Sequence, residues 1–324
     1  MKVFVSRNIP EEGCELLRDN GFEVIINRED YKHSTEELIE ICQGVDFLLN
    51  AGLTPLDADF IEKCSHLRGI ALASVGYDYV DLDAANKHHI PVSHTPDVLS
   101  GATADTAFLL MLAVSRKAFH RSREIAKGNW KTFEYMQDLG QELNGKTLGI
   151  YGLGRIGFEF ARKAKAAYDM DIIYYNRSRN ATAERLLGAK YVSFDTLLTD
   201  SDVLSAHTNL SSETMYKFDK AVFQRMKKSA IFVNTARGKI HHELDLIDAL
   251  HNGEIWGAGL DVTDPEPMLP DNPLLQMPNV CVLPHIGSAT LETRTNMARM
   301  AASNLIIASQ GGKMPQIVNK EVYA

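Results

Sequence analysis

Short apolar runs alternate with amphipathic stretches along most of the chain. Residues 2–6, 23–27, 46–50, 67–73 and 90–94 read as strands, and 10–19, 34–42, 57–64 and 81–88 as the helices between them. Pro10 with Glu11 and Glu12 suits a helix start, and Ser34-Thr35-Glu36-Glu37 has the spacing of a capping box. Pro96 closes this first series. Residues 103–117 are apolar on nearly every side, so a helix there is expected to be buried. A second series comes next, with strands expected at 147–151, 172–175, 189–192, 203–207, 231–234, 258–262 and 280–283. One more helix is expected over 290–309, and residues 314–324 read as a tail.

The second series opens on Gly152-Leu153-Gly154-Arg155-Ile156-Gly157, directly after an apolar strand and directly before a helical pattern. Gly152 permits a tight turn, Gly154 lets a pyrophosphate approach the backbone, and Gly157 lets the helix pack on the sheet. The helix N-terminus offers N–H groups and a partial positive charge to phosphates. This is the context a dinucleotide-binding motif requires. The first series has no glycine-rich phosphate loop after its first strand. The predicted fold is therefore α/β, with two doubly wound parallel-sheet domains. A flavodoxin-like substrate domain, residues 1–98 and 288–324, holds an inserted Rossmann nucleotide-binding domain, residues 99–287. A chain of 324 residues has room for both.

Asn176-Arg177-Ser178-Arg179 stands where a fold that prefers NAD places an acidic residue for the ribose 2′-hydroxyl. No carboxylate is present to repel a 2′-phosphate, and two guanidiniums and a hydroxyl suit one. The expected cofactor is NADP(H), with NAD(H) possible.

Ligands of doubly wound sheets sit beyond the carboxyl ends of the strands. Four polar groups lie just past predicted strand ends: Ser74-Val75-Gly76, Asn234-Thr235-Ala236-Arg237-Gly238, Asp261 through Glu266-Pro267, and Pro284-His285-Ile286-Gly287. Arg237, Glu266 and His285 suit a keto acid. Reduction of its carbonyl needs a proton donor, and histidine titrates near neutrality. Glu266 can orient His285, and Arg237 can grip a carboxylate bidentately. The N–H groups of Val75 and Gly76 suit the same carboxylate.

The net charge of −8 argues against a general nucleic-acid or membrane surface. The longest near-apolar run, 107–114, is too short to span a bilayer. Val3-Phe4-Val5 between Lys2 and Arg7 reads as a strand, not a signal peptide. Cys14, Cys42, Cys64 and Cys281 lack a C-x-x-C spacing and read as reduced, mostly buried thiols, which points to the cytoplasm. His241-His242-Glu243 lacks an H-E-x-x-H spacing, so no metal is expected.

Gly-Leu-Gly-Arg-Ile-Gly, Thr-Ala-Arg-Gly, Gly-Leu-Asp-Val with Pro-Glu-Pro, and Pro-His-Ile-Gly-Ser-Ala-Thr together resemble the D-2-hydroxyacid dehydrogenases across essentially the whole chain. Within that family the likeness is to glyoxylate/hydroxypyruvate reductases. The resemblance implies Arg237 as substrate anchor, His285 as acid/base and Glu266 as its partner. It implies Asp261 near the nicotinamide carboxamide, with Thr235, Ala236 and Gly287 lining that side. It also implies Gly154, Arg155 and Ile156 on the pyrophosphate, Thr103 close by, and a homodimer. Two alternatives stay open: an NAD-dependent phosphoglycerate-type dehydrogenase, and a non-catalytic NAD(H)-sensing corepressor-like protein.

Overall fold

The computed structural model describes residues 1–29 and 31–324. They form two compact units, one of residues 1–99 and 288–324, the other of residues 100–287.

The first unit begins with β1 (Lys2–Val5), α1 (Glu11–Asp19), β2 (Glu23–Ile26), α2 (Thr35–Cys42), β3 (Phe47–Asn50), α3 (Ala58–Lys63), β4 (Ile70–Leu72), α4 (Leu82–Lys87) and β5 (Val92–Ser93). Its five strands are parallel in the order β2-β1-β3-β4-β5, the flavodoxin-like order. The central β3 is buried along its whole length, as a parallel strand covered on both faces must be. Ser34 and Glu37 complete the capping box that opens α2. Strands run shorter than the apolar pattern: Leu67 is buried but lies outside the β4 ladder.

The second unit opens with α5 (Ser100–Ser115) and α6 (Ala118–Ala126). Next come β6 (Thr147–Tyr151), α7 (Arg155–Tyr168), β7 (Asp171–Tyr175), α8 (Ala181–Leu187), β8 (Lys190–Tyr191), α9 (Phe194–Asp200), β9 (Val203–Ala206), α10 (Lys220–Phe223), β10 (Ile231–Asn234), α11 (Glu243–His251), β11 (Gly257–Leu260) and β12 (Val280–Val282). The seven parallel strands lie in the order β12-β11-β10-β9-β6-β7-β8. The first strand of this unit, β6, is central, and the chain direction across the sheet reverses between β6 and β9. Such a switch point opens a crevice at the carboxyl strand ends. The buried helix is α5, ending at Ser115 because Lys117 takes a left-handed conformation, φ 52°, and starts α6.

The chain then re-enters the first unit as α12 (Leu291–Ser309), capped by the Thr290 hydroxyl, and packs on α1. Residues 314–324 are not a loose tail. Ile317 bridges Ser93 antiparallel, Val318 donates to the Val92 carbonyl at 2.8 Å, and Met314 is buried. The buried Asn319 accepts from Val92 N–H at 2.8 Å and donates to the Ile90 carbonyl at 3.0 Å. The reason is the exposed ladder of the edge strand β5, which this segment covers. Among the described residues no helix is long and apolar enough to cross a membrane.

Candidate active site

The turn after β6 is shaped by its glycines. Gly152 has φ +95°, and a Cβ there would lie 2.9 Å from the His207 carbonyl, so only glycine fits. Gly154 is the N-cap of the fourteen-residue α7, and a Cβ on it would meet no atom within 4 Å. The backbone there faces open space, and the first-turn N–H groups of a helix have no intrahelical acceptor. A pyrophosphate fits this cradle of Gly154, Arg155, Ile156 and Gly157.

Asn176 comes directly after β7. Its side chain turns back on the glycine loop, accepting from Leu153 N–H at 2.6 Å and donating to the Leu153 carbonyl at 3.3 Å. Asn180 caps α8 and also donates to that carbonyl, at 3.0 Å. Arg179 does not extend freely. Its guanidinium makes two bonds to Glu184, of 2.9 and 2.8 Å, and Tyr174 Oη donates to the same carboxylate at 2.6 Å. Arg179 in turn holds the Glu184 carboxyl below the usual range. Arg177 and Ser178 are exposed, and among the described residues neither has an ion-pair or hydrogen-bond partner in its side chain.

A second cluster joins the ends of α5, β11 and β12. Asp261, 1% exposed, accepts from Ile286 and Gly287 N–H, both at 2.8 Å. Thr103 Oγ1 donates to the Gly287 carbonyl at 3.1 Å. Burial pushes the Asp261 pKa up, and the two N–H bonds oppose that. His207, after β9, faces Ser205 Oγ at 2.9 Å and Thr235 Oγ1 at 3.4 Å.

The Arg237 turn and the Glu266 loop are packed together by Gly238. A Cβ on Gly238 would lie 1.9 Å from the Thr263 carbonyl oxygen, so any side chain would force the two apart. Arg237 Nη1 donates to the Ala236 carbonyl at 2.8 Å. His285 Nδ1 lies 2.5 Å from Glu266 Oε1, and its backbone N–H donates to the Asp261 carbonyl at 2.9 Å. With Nδ1 engaged, Nε2 is the nitrogen left for a ligand. His285 has φ 55°, a left-handed conformation rare outside glycine. The second unit thus brings Glu266 and His285 into contact and sets Arg237's turn against the loop that leads to Glu266.

In the first unit, Ser74 Oγ donates to the Gly76 carbonyl at 2.8 Å and meets Tyr79 Oη at 2.9 Å. The N–H groups of Val75 and Gly76 make no hydrogen bond among the described residues.

Sequence reasoning passed over two supporting residues, Glu184 and Asn180, and weighed His241 only for a metal. The first two carry a local signal, since asparagine at an N-cap followed by an acid in the first turn starts a helix. His241 is fully buried, while its neighbour His242 is not. Desolvation, with His242 adding to it, lowers the His241 pKa to about 4. The unfolded chain takes up this proton below a pH of about 6.5, and the folded chain refuses it until about 4. Stability is therefore expected to fall as pH drops through that window, by about 1.4 kcal/mol from this group at a pH of about 5.5. Thermal unfolding at several pH values checks this: His241→Asn should show a shallower acid slope than the wild type. Among the described residues no group of three or more His, Cys, Asp or Glu is placed to hold a metal ion.

A family model of the D-isomer specific 2-hydroxyacid dehydrogenase NAD binding domain matches residues 108–287. A glyoxylate reductase of Korarchaeum cryptofilum is 42% identical over 322 residues, covering 99% of this chain and 96% of that protein. The crystal structure of a glyoxylate reductase from Paecilomyes thermophila superposes with a TM-score of 0.88 at 33% identity, covering 99% of both chains. An acyclic imino acid reductase in complex with NADPH and D-Arg superposes with a TM-score of 0.85 at 28% identity, covering 98% of this chain and all of the other.

Proposed function

The chain belongs to the D-isomer specific 2-hydroxyacid dehydrogenase family, and on that premise we propose that it reduces glyoxylate and hydroxypyruvate to their 2-hydroxy acids with NADPH. Its class is NAD(P)-dependent oxidoreductase. The observation that carries the proposal is the 2.5 Å contact of His285 Nδ1 with Glu266, beside the turn that Asp261 holds.

The nucleotide, when bound, supplies a hydride to the keto carbon. The residues supply the rest. Nε2 of His285 gives a proton to the oxygen as charge develops there, and Glu266 keeps the ring oriented. Arg237 grips the substrate carboxylate and draws charge toward it. The free N–H groups of Val75 and Gly76, with Ser74 that shapes their turn, count among the substrate-binding groups. Gly152, Gly154, Arg155, Ile156 and Gly157 would hold the pyrophosphate, and Thr103, Thr235, Ala236, Asp261 and Gly287 the nicotinamide end. The names of the relatives support a small keto acid. A homodimer in the cytoplasm completes the proposal. Trp130, Phe133, Tyr135 and Met136, each more than 70% exposed, support self-association, which sedimentation tests.

For the cofactor, Asn176 provides no charge to repel a 2′-phosphate, and the NADPH-bound relative points the same way. Arg177 and Ser178 are the residues available to that phosphate, because Glu184 holds Arg179. A charge-assisted bond contributes about 1.5–3 kcal/mol, less when exposed, and about 1.4 kcal/mol is tenfold. Steady-state kinetics with a panel of keto acids and both nucleotides tests the proposal. The expected kcat/KM favours NADPH by about tenfold with glyoxylate. Arg177→Ala should abolish most of that preference, and Arg179→Ala should change it little. A wild type that uses NADH equally well contradicts the cofactor assignment.

A further inference from the structure

We propose that His241 is a positioning residue for Arg237: it accepts a hydrogen bond from the Asn234 amide, which pins the turn carrying the guanidinium. This rests on the reading of Arg237 as substrate anchor.

Asn234 ends β10 and is fully buried. Its Oδ1 accepts from the Ala236 backbone N–H at 3.0 Å. A backbone N–H is a donor only, so the oxygen must point that way and Nδ2 must point the other. Nδ2 has two hydrogens. One goes to the Arg237 carbonyl at 2.8 Å, and the other faces His241 Nδ1 at 3.1 Å. Nδ1 therefore carries a lone pair, and the ring proton sits on Nε2. Strand end, turn and imidazole form one closed circuit around the turn that carries the guanidinium.

The imidazole is well fixed for this task. His241 pairs with Phe218 through a parallel bridge, donates its N–H to the Gly238 carbonyl at 3.2 Å, and sets its ring against Phe232. Nε2 is buried and finds no partner among the described residues. An apolar side chain would fill the same space without stranding an N–H group, and buried unpaired groups are rare enough to need a reason. The bond to Asn234 is the ring's single hydrogen bond among the described residues, so it supplies the reason. Desolvation keeps the ring neutral, the form that can accept.

The experiment compares His241→Phe, which keeps a ring and loses the acceptor, with His241→Asn, whose amide oxygen falls near the place of Nδ1. His241→Phe is expected to raise KM for glyoxylate about tenfold, the worth of one such bond, with kcat changed less than about threefold and NADPH affinity changed less than the KM for glyoxylate. His241→Asn should recover most of the loss. In an Arg237→Lys background, His241→Phe should add little, because the group it positions is gone. Nitrogen NMR should show the wild-type ring neutral with its proton on Nε2. Thermal unfolding checks that each variant folds, and His241→Leu replaces His241→Phe if the larger ring does not fit. A wild-type KM in the folded His241→Phe or His241→Leu variant overturns the proposal. So does an equal loss in His241→Asn, or a full added loss in the Arg237→Lys background. If Arg237→Lys itself keeps wild-type kcat/KM, the anchor reading fails instead. If Arg237→Lys is impaired and the His241 variants are not, this inference alone fails.

Discussion

His285→Ala is expected to lower kcat by about 10²–10⁴-fold while nucleotide affinity stays within about twofold of wild type. The loss is that of a general acid, since nothing else in the second unit stands in hydrogen-bond contact with Glu266 as a proton donor of suitable chemistry. The spared affinity comes from how the turn is held. His285 N–H bonds the Asp261 carbonyl, and Ile286 and Gly287 N–H bond the Asp261 carboxylate, so the backbone keeps its course without the imidazole. Turnover and nucleotide titration of the folded variant check both halves. Near wild-type kcat would remove His285 from the chemistry.

Arg237→Lys is expected to cost about 10–100-fold in kcat/KM for the keto acid, again with nucleotide affinity unchanged. A lysine is a point charge and cannot make the planar, two-pronged contact to a carboxylate. A bond to a charged group is worth about 1.5–3 kcal/mol, and every 1.4 kcal/mol is about tenfold. The backbone of this turn is held by more than the guanidinium's bond to the Ala236 carbonyl. Asn234 holds the Arg237 carbonyl, and Gly238 seats the turn against Thr263. The variant should therefore fold, and a kcat/KM equal to wild type would mean the substrate carboxylate is held elsewhere.

The fold was largely legible in the sequence, and so were the second-unit residues that the structure brings together, because their signals are local. A buried parallel strand is a short apolar run, and in this fold the residues just past its carboxyl end face the crevice. Gly152, Asp261 and His285 could be found by looking there. Element edges were less legible, since apolar residues such as Leu67 stay buried outside the ladder. The packed course of residues 314–324 depends on partners far away in sequence, such as Val92 for Asn319, and no short window contains both. The difference between Arg177 and Arg179 is likewise tertiary. Both come after the strand, but the first turn of α8 places Glu184, which Tyr174 of β7 also bonds, against only one of them. His241 and His242 look alike in sequence. The bridge to Phe218 turns the first inward.

Isotope transfer distinguishes hydride reduction of a small keto acid from nucleotide binding alone. Glyoxylate is turned over with NADPH that carries deuterium at the transferable position, and the product is analysed by NMR. Glycolate with one deuterium on its hydroxyl-bearing carbon is expected for every NADPH consumed. NADPH that binds and is never consumed, with no deuterated glycolate formed, would contradict hydride reduction.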